Sequence, residues 1–171
     1  MIRATELVGR PVIAVHGLEV FGRIDTIVLD TEGRRVAAFV VAHASDAIGD
    51  RAQTLLPAAS VRAIWRDTVR VASTAPVSNV QAFDRLPRVS DILWRKVITG
   101  DGRLLGIVDD VLISGVDGLI VGYSLAASSR LDGIFRLSSG RETYLQPTVA
   151  LRPGCSLIIA AEDALAEWPE D

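Results

Sequence analysis

Val20-Phe21-Gly22-Arg23-Ile24-Asp25-Thr26-Ile27-Val28-Leu29-Asp30 is the stretch on which the fold turns, because it occurs twice. The second copy is Leu104-Leu105-Gly106-Ile107-Val108-Asp109-Asp110-Val111-Leu112-Ile113-Ser114. Each reads as an apolar pair, a glycine, two residues, an aspartate and a run rich in β-branched side chains. Such runs suit a pleated, half-buried surface, so both stretches read as strands. A glycine near the start of a strand predicts a bulge or a close approach of two backbones. The far ends, Ile27-Val28-Leu29 and Val111-Leu112-Ile113, are apolar at every position. A strand that wets one face alternates, so these ends predict a cover on the outside too. The cover is the other copy, the C-terminal tail or a second chain.

Working outward, further landmarks recur in the same order. Leu7 to Ile13 sets beside Ile92 to Ile98, and Val36 to Val41 beside Ile120 to Leu125. Thr54 to Pro57 matches Tyr144 to Pro147, and Thr68 to Val71 matches Ser156 to Ile159. Asp101-Gly102 and Asp117-Gly118 are hairpin dipeptides, since tight turns want φ > 0 at their centre. Short strands punctuated this regularly predict an all-β chain of two small β-barrels in tandem. The first spans residues 1–73 and the second 90–161. Residues 74–89 form a linker bracketed by Pro76 and Pro87, and Val80, Phe83 and Leu86 predict that it packs. Residues 162–171 form an acidic tail. Asp163 to Trp168 reads as a short helix with Ala161, Ala164, Leu165 and Trp168 on one face, ended by Pro169.

Each copy resembles a PRC-barrel domain, a small β-barrel module found in the photosynthetic reaction-centre H subunit and in the ribosome-maturation factor RimM. The resemblance rests on Leu7-Val8-Gly9-Arg10-Pro11-Val12, on Gly22 to Asp30, on Leu55-Leu56-Pro57 and on Gly106 to Ile113. The second copy departs from it at Trp94, where the first has Gly9. The resemblance implies an adaptor module rather than an enzyme, with no catalytic residue and no cofactor to carry over. The likeness to RimM makes an RNA- or ribosome-associated maturation role the alternative.

Of 171 residues, 49% are hydrophobic, which excludes a disordered chain and suggests apolar surface kept for a partner. No apolar run approaches the roughly 20 residues of a membrane-spanning helix. With no signal-peptide pattern and the lone Cys155, a cytoplasmic address is expected. The net charge is −3, and the last ten residues alone hold five acids and no base. The body is electrically balanced, so RNA is not the favoured partner.

No constellation of catalytic or metal-ligating residues emerges. Asp109 and Asp110 are adjacent on a strand and point to opposite faces, so they do not share a ligand. Asp25 and Asp109 are expected to bond backbone amides beside a glycine bulge. His16, His43 and Cys155 have no partners at ligand or triad spacing. Ser128-Ser129 and Ser138 to Arg141 open no helix that would hold phosphate. Arg62, Arg66 and Arg70 with Trp65 resemble a base-stacking set, but also a plain solvent face of one strand. The interaction residues expected are therefore Trp94 and Trp168, sealing the surface between repeats or between two copies of the chain, with Ile27, Leu29, Val111 and Ile113.

Overall fold

The computed structural model describes residues 1–15, 20–43, 53–65, 67–72, 74–75, 82–126, 143–146, 157–160 and 165–167. His16, Arg66, Val80, Ser128, Ser129, Ser138 to Arg141, Cys155 and Trp168 lie outside the described residues. The chain opens with β1 (Ile2–Arg3) and one helical turn, α1 (Ala4–Leu7). A first sheet follows: β2 (Pro11–Ala14), β3 (Val20–Leu29), β4 (Val36–Ala42), β5 (Gln53–Pro57), β6 (Val61–Ile64) and β7 (Val69–Val71). A second helical turn, α2 (Val89–Ile92), leads into β8 (Lys96–Thr99), β9 (Leu104–Ile113) and β10 (Ile120–Ala126). The second sheet ends with β11 (Thr143–Leu145), β12 (Leu157–Ala160) and β13 (Leu165–Glu167). The fold is all-β and PRC-barrel-like. The order β7-β2-β3-β4-β5 in the first sheet recurs as β12-β8-β9-β10-β11 in the second. In both, one pair is parallel (β2 with β7, β8 with β12) and the other three are antiparallel.

The repeated aspartates mark the same irregularity in each sheet. The β3–β4 ladder steps from Ile24↔Val41 to Thr26↔Val40, and the β9–β10 ladder from Val108↔Leu125 to Asp110↔Ser124. Asp25 and Asp109 are thus the extra residues of two β-bulges, which bend the long strands so that each sheet curls. The glycines serve the close approach instead: a Cβ on Gly22 would lie 2.6 Å from the Ala42 carbonyl oxygen.

The two sheets are not beads on a string. β1 pairs with β9 of the other sheet, with Ile2 opposite Ile113 and Arg3 opposite Leu112. Reciprocally, the Leu29 amide donates to the Pro87 carbonyl at 2.8 Å, and Val28 bridges Arg88. α1 packs on β9 while α2 packs on β3. Each half therefore sends its leading segment to complete the edge of the other half's longest strand. A second reciprocal contact joins equivalent residues: Arg35 bridges Leu119, Val36 N donates to Gly118 O (2.9 Å) and Ile120 N to Arg34 O (2.8 Å).

This exchange explains the doubly apolar strand ends. Ile27, Leu29, Val111 and Ile113 are 0–1% exposed and share one hydrophobic cluster with Ala4, Leu7, Val89 and Ile92. Val28 points the other way, into a small cluster with Ala38, Val40, Leu55, Phe83 and Leu86. The cover is thus the other half on one face, and on the other the linker, which had not been among the candidates. These four residues expected to meet a partner are interior, because burying each is worth about 1.5–3 kcal/mol and the chain's own second half supplies the burial.

Two polar contacts fix the junction. Asp110, 3% exposed, accepts hydrogen bonds from the Thr5 amide (3.1 Å), the Thr5 hydroxyl and the Val111 amide (2.8 Å). It ties α1 to β9 as a cap supplied from another element. The Tyr123 hydroxyl donates to the Gly33 carbonyl at 2.9 Å, and burial pushes the pKa of this phenol well above its ordinary value.

The C-terminal segment corrects an expectation. Leu165–Glu167 is strand β13, pairing with β11, rather than a helix. A single helical turn leaves its first amides and last carbonyls unpaired, whereas a strand laid on the β11 edge satisfies them.

Because the Asp110 carboxylate is the buried acceptor that seats α1, Asp110→Ala should lower unfolding free energy by about 1–3 kcal/mol in urea titration. Asp25→Ala, at the exposed bulge, should stay within about 0.5 kcal/mol. Equal effects would contradict the assignment.

Candidate interaction surface

The surface is best read by comparing the two halves position by position. On the outer face of the second sheet Lys96 lies opposite Ile107, and Ile98 lies opposite both Leu104 and Ile159. Ile98, Leu104 and Ile107 are partly exposed, and Ile159 is 62% exposed. The inner face of the same strands, Val97 and Ile158, is buried. In the first sheet Pro11 lies opposite Arg23, and Ile13 opposite Val20 and Arg70. The arginines of the first half are therefore isoleucines in the second: Arg23 corresponds to Ile107 and Arg70 to Ile159. One scaffold carries a mixed outer face, with Arg23 and Arg70 beside Ile13 and Val20, and a more apolar one.

Trp94 stands at one end of the apolar face, two residues before β8. It is 73% exposed and adopts φ +67°, while its amide donates to the Val108 carbonyl at 2.7 Å. Gly9, its counterpart, has φ +83° and donates to the Ile24 carbonyl, also at 2.7 Å. The turn needs a left-handed residue in both halves. Glycine takes that conformation without cost, and a bulky residue does not. The expectation that Trp94 seals the inter-repeat surface is corrected: the leading segments seal it, and the ring projects into solvent.

The first half's mixed face has its own aromatic. Trp65 is 55% exposed, and the Arg70 guanidinium sits 5.0 Å from its ring centroid, a cation–π contact. Arg10 donates to the Trp65 carbonyl at 2.8 Å and pairs with Glu6 at 3.6 Å. Arg62 and Arg70 belong to two different strands of a hairpin rather than to one strand.

Among the described residues, Asp25 accepts from the Gln53 amide at 3.2 Å rather than from backbone, and one Asp109 oxygen is buried without a hydrogen-bond partner. The amide-bonding aspartate is the neighbour, Asp110. His43 donates from Nδ1 to the Phe21 carbonyl at 2.8 Å, since a carbonyl can only accept. Its Nε2 then accepts from the Thr54 hydroxyl at 2.6 Å, and the ring meets Phe21 edge-on with centroids 4.5 Å apart. The Thr99 hydroxyl holds the Asp101 carboxyl below its ordinary acidity range, and Ser114 does the same for Asp117. Among the described residues, no group of three His, Cys, Asp or Glu side chains is gathered to hold a metal ion. No helix among them is long and apolar enough to cross a membrane.

A cleft of about 390 Å³ opens where the halves meet. One wall is Val36, Phe39, Ala58, Ala59, Val61 and Ile64, and the facing wall is Ile113 with the turn from Gly115 to Gly118. It was not legible in the sequence, because its walls are distant in the chain and individually ordinary.

Residues 1–76, which contain the first sheet, match the family model of the PRC-barrel domain. No curated protein matches the chain.

Trp94 occupies a strained backbone position and buries little in return. Trp94→Gly should therefore stabilise the fold by about 1 kcal/mol in urea titration. Native fluorescence should also be dominated by solvent-exposed indole. A loss of stability would show that the ring packs within the chain.

Proposed function

We propose that this chain is a non-enzymatic interaction and assembly module made of two PRC-barrel-like repeats, acting in the cytoplasm on a protein partner. The observation that supports it is the apolar outer face of the second sheet, Ile98, Leu104, Ile107 and Ile159, with Trp94 at its end. In the first half Ile107, Ile159 and Trp94 are replaced by Arg23, Arg70 and Gly9, so the scaffold does not require apolar groups at those three positions, while Ile13 and Val20 stay apolar. An exposed aromatic beside a contiguous aliphatic patch has the composition of a recognition hot spot. Lys96, exposed within the patch, favours a partner that sets an acidic or polar group among apolar ones.

The second half repeats the strand order, the bulge and the left-handed turn of the first. We therefore read it as a diverged second copy of the module. An RNA-associated role ranks second. Its support is the exposed Trp65 with Arg62 and Arg70 nearby, yet Arg70 already covers the ring that a base would stack on.

Affinity purification from native lysate should recover a protein that survives nuclease and high salt. The double variant Trp94→Gly, Ile159→Asp should lose it while keeping its melting temperature. A partner released by nuclease, or one whose binding falls steeply with salt, would favour the RNA reading. Recovery of no specific protein under any condition would overturn the adaptor reading.

A further inference from the structure

The near-symmetry of the halves makes the cleft at their junction informative, because a side chain bridges the equivalent place on the other side. Phe39 lies opposite Ile27 in the first sheet, and Tyr123 lies opposite Val111 in the second, so the two aromatics are equivalent. Tyr123 reaches across the junction, and its hydroxyl donates to the Gly33 carbonyl. Gly33 in turn corresponds to Asp117, which lines the cleft beside Phe39. On this side the aromatic lacks its hydroxyl, and the neighbouring wall carries the small residues Ala58, Ala59 and Gly115. One side of the junction is bridged and the other is left open.

We propose that this open side is a binding site for a small uncharged apolar molecule, an aromatic or branched aliphatic compound. Its volume of about 390 Å³ is near the lower end of the roughly 300–1,000 Å³ typical of small-molecule sites. Arg35 and Asp117 are the two charged residues among the lining residues, one of each sign. Their formal charges cancel, so the lining as a whole favours neither an anion nor a cation. The remaining lining side chains, Val36, Phe39, Val61, Ile64, Ile113 and Val116 foremost, offer no hydrogen-bonding group. The Val116 side chain, 98% exposed on the lip, gains burial when the cleft fills. Because both halves line the site, occupancy would stabilise their junction.

The test uses the full chain and Prodan, an uncharged naphthalene dye. The dye should bind saturably at one site with a blue-shifted emission. Phe39→Tyr copies the bridged side and Ala59→Phe blocks the cleft from its exposed wall. Each should weaken binding by about tenfold or more while the melting temperature holds or rises. If Phe39→Tyr fails to fold, Ala59→Phe decides. Absence of saturable binding, or binding unchanged in Ala59→Phe, would overturn the proposal.

Discussion

The structure depends on the reciprocal seating of each half's leading segment against the other half's longest strand. Ile2 and Arg3 pair with Ile113 and Leu112, while Pro87 and Arg88 meet Leu29 and Val28. β8 and β2 cover only the first parts of β9 and β3, which would leave the far ends with open backbone edges. Buried open edges are costly, and exposed apolar ones invite aggregation. The helical turns α1 and α2 then place Leu7 and Ile92 into a single core that runs through both halves. Separating the halves would expose several side chains worth about 1.5–3 kcal/mol each, against a whole-domain stability of about 5–15 kcal/mol. Neither sheet has the means to stand apart.

The duplicated stretch carried most of the fold in legible form. Strand character came from β-branched runs, and the glycine–aspartate pair marked the close approach and the bulge. The need for a cover over Ile27-Val28-Leu29 was also visible, since uninterrupted apolar runs have one physical reading. Which element supplied the cover was not visible. Exchange of short leading segments leaves no periodic signal, and a linker that packs reads like any loop with a few apolar residues. The tail failed for a related reason: the spacing of Ala164 and Leu165 fits a helix, but the choice was made by the β11 edge, a tertiary partner outside local sequence.

The candidate site was legible in one residue, Trp94, and for the wrong reason. Sequence marked it as a departure from Gly9, but only the left-handed backbone and the exposed ring show that the departure costs stability locally. The two halves differ most tellingly at equivalent positions: Gly9 and Trp94, Arg23 and Ile107, Arg70 and Ile159, Phe39 and Tyr123. The shared features build the scaffold, and the unshared ones make its two faces and its two junction edges unlike.

Whether the halves are thermodynamically one unit can be read by scanning calorimetry of the full chain. Mutual completion of β3 and β9 predicts a single transition whose calorimetric and van't Hoff enthalpies agree. Two resolved transitions, or a calorimetric enthalpy about twice the van't Hoff value, would show two independently stable barrels and contradict the reciprocal seating as the constraint that holds the molecule together.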